Sequence, residues 1–154
     1  MSVKTAAKKA VSPNPSVCSC INLRRASRAI TRIYDKALEP ADIKLTQYSV
    51  LANVARSGPL STSQLARILK LDRTTLVRNL KSLEASEFLE NAEVSDPRER
   101  TIRITELGRS ILAKAQPCWI LAQKQIEEQL GAAGLLQLRL LVTSLEKLSA
   151  DAEE

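Results

Sequence analysis

With 154 residues and no histidine, the chain is long enough to bury its own core. It lacks the imidazole chemistry of Ser-His-Asp or Cys-His nucleophiles and of His-containing metal sites. Its formal charge of +6 favours a polyanionic partner, whether nucleic acid or membrane surface. Three cysteines, an odd number, argue against a disulfide scaffold; no stretch reads as a secretory signal or as the roughly 20 apolar residues of a membrane span, so a cytoplasmic location is expected.

Residues 1 to about 17, "MSVKTAAKKAVSPNPSV", hold two prolines and no acid, and read as a flexible basic arm. Every charged residue before Asp35 is basic, whereas the chain ends in the mostly acidic "LEKLSADAEE". From Cys20 to Leu38, apolar residues at Leu23, Ala26, Ile30, Ile33 and Ala37 follow three- and four-residue steps, which predicts an amphipathic helix ending before Pro40. "LTQYSVLANVARSG" predicts a second helix with Thr46 as N-cap and Gly58 as its stop.

Two cap signals then follow closely. Ser61 with Gln64 makes a capping box, and Asp72 precedes another helical run, leaving room only for a tight turn between helices over about 62–69 and 73–85. That spacing is a helix-turn-helix. "FLENAEV" and "RTIRIT" read as two short strands, and the charged "SDPRER" between them has the chemistry of a hairpin loop, so a two-stranded wing is expected. Two more helices close the chain, over about 106–130 and 132–150, separated by "GAAG". Leu135, Leu138, Leu141, Val142, Leu145 and Leu148 make an apolar stripe with no remaining domain to cover it, and a partner chain is the simplest cover.

Placed on a helix, residues 72 to 85 put Leu76, Leu80 and Leu83 on one side and Thr74, Arg78 and Lys81 on the other, with Arg73, Thr75 and Asn79 flanking near the start. A guanidinium can fork onto guanine, and a threonine can offer its hydroxyl or methyl, so these are candidate DNA-contacting residues. Arg98 and Arg100 in the loop are candidates for a minor groove or a phosphate, with Asp96 placed to orient Arg98. The plainer alternative is that these are solvated charges on a surface helix, in a winged-helix module used only for protein contacts. No phosphate-cradling glycine motif is present, and Glu127 and Glu128 look like helix surface, so no enzymatic role is expected and no cofactor is called for.

The stretch "SQLARILKLDRTTLVRNLKSLEASEFLE", followed by Asp96-Pro97-Arg98 and Ile104-Thr105-Glu106-Leu107-Gly108, resembles the MarR family of winged-helix transcriptional regulators over roughly residues 20 to 148. The last motif is similar to the family's Leu-Thr-x-x-Gly, with Ile104 as a conservative departure. The resemblance implies a mainly α fold in which a dimerisation helix (18–45) and C-terminal dimerisation helices (105–154) flank a winged helix-turn-helix (46–104). It further implies a homodimer on a pseudo-palindromic double-stranded operator, acting as a repressor released by a small ligand or a thiol reaction.

Cys18 and Cys20 open the first helix, and three roles stay open for them and Cys118: a thiophilic metal or metalloid site, a redox switch, or buried filler. The family's organic-hydroperoxide regulators carry a reactive cysteine near the start of the first helix and a resolving one near the fifth helix of the other subunit. That resemblance pairs Cys20 with Cys118 and makes Tyr34, on nearly the same face as Cys20, a candidate thiol partner. Leu45 stands where that subgroup has another tyrosine. A small-molecule effector is a further option, with Arg24, Arg25, Arg28, Tyr34, Tyr48 and Trp119 as candidate pocket residues.

Overall fold

A computed structural model describes residues 17–92 and 100–151. In chain order these form α1 (Ser19–Leu38), a 3-10 turn (Glu39–Ala41), α2 (Leu45–Ser57), β1 (Leu60–Ser61), α3 (Thr62–Leu69), α4 (Arg73–Ala85), β2 (Leu89–Asn91), β3 (Thr101–Ile104) and α5 (Glu106–Asp151).

Local capping sets the ends of the central helices. The Ser61 hydroxyl accepts the Gln64 N–H at 3.2 Å and the Gln64 side chain accepts the Ser61 N–H at 2.9 Å, a reciprocal box that starts α3. Lys70 ends α3 in the left-handed region (φ 50°), and Asp72 caps α4 through the Thr75 N–H at 2.9 Å. The second helix differs from expectation: it begins at Leu45, so Thr46 lies inside its first turn and is not the cap. Here the orphan amides are met from elsewhere, Lys44 N–H by the Gln47 side chain and Leu45 N–H by Asp35, each at 2.8 Å.

The sheet has three strands rather than the two expected of a wing. Its order is β1-β3-β2, antiparallel throughout, with Leu60 opposite Ile102 and Glu90 opposite Arg103. β1 is only two residues long, too short for a period to register in sequence. It forms because Gly58, at φ 79°, ends α2 and lets Leu60 turn into the core beside Ile102. Leu51 and Val54 of α2, Leu65 of α3, Leu76, Leu80 and Leu83 of α4, and Leu89, Ile102 and Ile104 of the sheet make one continuous cluster.

A second cluster joins α1 to α5 through Tyr34, Ala122 and Ile126, with Ile30, Ile33, Ala37 and Leu135 against it. Leu45 and Trp119 pack against both clusters. The front half of α1 is bare: Ile21 and Leu23 are exposed, so the periodic stripe that predicted the helix is covered only along its second half. α5 is broken at one residue, Gly131 (φ 66°, ψ 171°), and helix resumes at once, so the expected "GAAG" spacer shrinks to a single glycine. Beyond the break, Leu136, Leu140, Leu141, Val142, Leu145 and Leu148 are exposed.

The Ile-Thr-x-x-Gly motif has a structural account. Thr105 precedes α5; its hydroxyl accepts the Gly108 N–H at 2.9 Å and donates to the Glu87 carbonyl at 2.7 Å. Gly108 is buried where a Cβ would fall on the Phe88 carbonyl oxygen and 2.8 Å from Ile104 Cγ1. Gly108→Ala should therefore destabilise the fold by about 1–3 kcal/mol, as overpacking against rigid backbone does. The measurement is the urea unfolding midpoint at unchanged slope; a variant as stable as the parent would mean that α5 does not approach Phe88 this closely.

Candidate nucleic-acid interface

α4 divides its side chains by face. Leu76, Leu80 and Leu83 are fully buried, while Arg73, Thr74, Thr75, Arg78 and Lys81 are exposed and Asn79 is half-buried. Among the described residues, Arg73, Arg78 and Lys81 form no ion pair. The first turn of α4 holds no acid and begins with Arg73, a choice that works against the helix dipole and leaves positive charge at the exposed N-terminal end. The back of the helix is held to α2 by the Gln47 amide, which donates to the Ser82 hydroxyl at 3.1 Å.

Two of the candidate contacts are already committed within the protein. The Thr75 hydroxyl donates to Asp72 at 2.6 Å, so in the free protein Thr75 completes the cap of α4 and offers outward chiefly its methyl. Arg100 donates through Nε to the Asn91 side chain at 2.9 Å and through its guanidinium to Glu84, with which it forms an ion pair. Its fork is thus turned onto Asn91 and Glu84 in the DNA-free protein. Sequence patterns missed this because the partners lie 9 and 16 residues away. Asp96 and Arg98 lie outside the described residues.

The turn between α3 and α4 also touches the end of the chain: Lys70 Nζ lies 2.5 Å from Glu146 of α5. Both side chains are largely exposed, so the pair adds little by itself. A cleft of about 340 Å³ between α2, the sheet and the start of α5 is lined by Glu90, Arg103, Glu106 and Arg109. Its charges answer one another, Arg103 with Glu90 at 2.9 Å and Arg109 with Glu106 at 3.8 Å, which leaves no net site for an anion.

The three thiols do not come together within one chain. Cys18 and Cys20 are exposed at the start of α1; Cys118 is half-buried against the first cluster, and all three are free of disulfides. Among the described residues no three His, Cys, Asp or Glu side chains are grouped to hold a metal, so the alternative site of Cys18, Cys20 and Cys118 is not assembled within a protomer. Tyr34 is not a partner for Cys20 in the same chain either. Fourteen residues of helix separate them by about 21 Å along the axis, a distance that the shared face does not shorten. The Tyr34 hydroxyl instead donates to Gln123, and its ring stacks on Trp119 with centroids 6.1 Å apart. Tyr48 stacks on Trp119 at 5.8 Å. These three rings are therefore packed on one another, and Arg24, Arg25 and Arg28 of α1 are exposed.

Known proteins share this arrangement. A family model described as MarR family matches residues 41–99, the helix-turn-helix and the start of the wing. The transcriptional regulator MosR of M. tuberculosis is 31% identical, with 88% of this chain and 97% of that one covered at a TM-score of 0.75. The chain belongs to the MarR family. A second MosR structure, in complex with DNA, superposes at a TM-score of 0.78 with 31% identity over 88% of this chain and 98% of that one. The HTH-type transcriptional regulator YhbI of Bacillus subtilis (strain 168) is 29% identical over 133 residues, 83% of this chain and 86% of its own. A mutant of E. coli MarR complexed with operator DNA shares the MarR-family fold at 20% identity and a TM-score of 0.72, over 80% of this chain and 89% of its own.

In this MarR-family chain the cap of α4 titrates. Hydrogen bonds from the Thr75 hydroxyl and backbone hold the Asp72 carboxyl below its ordinary value of 3.8. A carboxylate with a lowered folded pKa contributes stability above its unfolded pKa and loses it as pH falls through the folded one. Following the Thr75 amide by NMR should give a midpoint below 3.8, and Asp72→Asn should abolish that step; a midpoint at or above 3.8 would mean the cap is not formed in solution.

Proposed function

We propose that the protein is a cytoplasmic transcriptional regulator that binds double-stranded DNA as a homodimer and represses by occupying a pseudo-palindromic operator. The observation that carries this reading is the outward face of α4, where Arg73, Arg78 and Lys81 stand exposed, without ion-pair partners among the described residues, above a fully buried leucine face. A row of exposed cations on the second helix of a helix-turn-helix suits a major groove.

That MosR, a relative 31% identical, has a structure in complex with DNA supports DNA as the partner. Arg78 and Asn79 would read base edges, Arg73, Thr74 and Lys81 would hold phosphates, and Thr75 would present its methyl group while its hydroxyl caps the helix. Arg98, with Asp96 beside it in sequence, would reach the adjacent minor groove. The exposed leucines after Gly131 and the bare front half of α1 support a second copy as their cover. A two-fold dimer would set its α4 helices about 34–36 Å apart on one face of the duplex.

Arg78→Ala should cost about 1–3 kcal/mol of operator binding and relax preference at one base position. Lys81→Ala should weaken all sequences alike and make the salt dependence shallower by about 0.9 per subunit. Fluorescence-anisotropy titrations of operator and scrambled duplex across a salt series measure both. Equal affinity of the parent protein for the two duplexes would end this reading.

For release, thiol oxidation is the trigger that the cysteine placement favours, because Cys20 is exposed at the start of α1 and Cys118 is partly accessible beside Trp119. A Cys20 thiolate would attack a hydroperoxide, break its O–O bond, release the alcohol and become a sulfenic acid. Condensation with Cys118 of the other subunit would then expel water and leave a disulfide. Mild peroxide should give a covalent dimer on a non-reducing gel that is absent in Cys118→Ser; no dimer, with normal DNA release by thiol-blocked protein, would rule the trigger out.

A further inference from the structure

Arg100 sits where three elements meet. Its guanidinium pairs with Glu84 near the end of α4, its Nε–H reaches Asn91 at the end of β2, and its backbone carbonyl accepts the N–H of Thr62, the first residue of α3, at 3.3 Å. The residue itself stands immediately before β3. A planar guanidinium can serve both side-chain acceptors at once because its donors point in fixed, divergent directions; an ammonium has no such fork. Glu84 is the one acidic residue within α4, and this pairing offsets a negative charge that would otherwise face a polyanion.

We propose that Glu84, Arg100 and Asn91 form a positioning clamp that fixes the base of the wing against the recognition helix. Arg100 then acts on DNA through the placement of α4 and the wing, without itself gripping a phosphate. The proposal rests on the DNA-binding reading above for its consequence and on the hydrogen bonds for its existence. The ion pair is partly exposed, with 46% of the Arg100 side chain and 22% of the Glu84 side chain accessible. Its contribution is therefore to the relative orientation of two elements more than to global stability.

The clamp and a direct phosphate contact differ in sign. With a clamp, Glu84→Gln and Arg100→Gln each weaken operator binding by on the order of 5- to 10-fold, and the double variant is no weaker than the poorer single one. The slope of log affinity against log salt stays that of the parent in all three, and Arg100→Lys fails to restore binding. With a phosphate contact, Glu84→Gln leaves binding unchanged or tightens it. Arg100→Gln alone then flattens the salt slope by about 0.9 per subunit, and Arg100→Lys retains it. That second set of results overturns the proposal.

A measurement on the DNA-free protein separates this test from the functional reading. Exchange of the Arg100 Nε–H with solvent, followed by NMR, should be slowed in the parent and accelerated in Asn91→Ala and Glu84→Gln. Unprotected exchange in the parent overturns the clamp whatever the protein does with DNA. Protected exchange in a protein that shows no operator preference would keep the clamp and discard the function assigned to α4.

Discussion

One indole joins the two parts of this molecule. Trp119 of α5 lies between the rings of Tyr34 from α1 and Tyr48 from α2, at 6.1 and 5.8 Å and within 21° and 14° of parallel. It packs against the cluster under α4 and against the cluster between α1 and α5. Stacked aromatic pairs contribute about 0.5–1.5 kcal/mol each beyond the area they bury, and here two such pairs share a ring. Burial raises the pKa of both tyrosines, and the negative charge of Glu127 adds to the shift at Tyr34, whose hydroxyl donates to Gln123. Three of the chain's four aromatic residues are spent on this seam, and the orientation of the reading helix relative to the long flanking helices depends on it.

What was legible in the sequence follows the range of the interactions concerned. α3 and α4 were readable nearly to the residue because Ser61, Gln64 and Asp72 cap them from within four positions. The start of α2 is not legible locally because Asp35, ten residues upstream, satisfies Leu45 through a tertiary contact that no local pattern encodes. β1 escaped notice because two residues carry no periodicity, and its existence depends on a strand forty residues later. The apolar repeat of α1 correctly called for a helix, yet it could not tell which half would find cover in the same chain.

The same division runs through the candidate site. Face assignment on α4 needed only the helical period, so Leu76, Leu80 and Leu83 on one side and Arg78 and Lys81 on the other came out as expected. Whether an exposed arginine is free or committed is a question of distant partners. Arg78 and Arg100 look alike in sequence, both basic and both in the winged helix-turn-helix, but among the described residues only Arg100 of the two has a carboxylate and an amide oxygen folded against it. Tyr34 carries a related lesson: sharing a helix face with Cys20 fixes an angle, while about 21 Å of axial rise decides whether two side chains meet.

The aromatic seam also gives the protein a built-in optical probe. Trp119 is the single tryptophan in the chain, so long-wavelength-excited emission arises from the junction between the flanking helices and the reading head and from nowhere else. Its brightness and colour depend on the two tyrosine faces, on the half-buried thiol of the neighbouring Cys118, and on how much water reaches the indole. Any event that tilts α5 against α2 would thereby be reported by the unlabelled protein at the junction of the two helices.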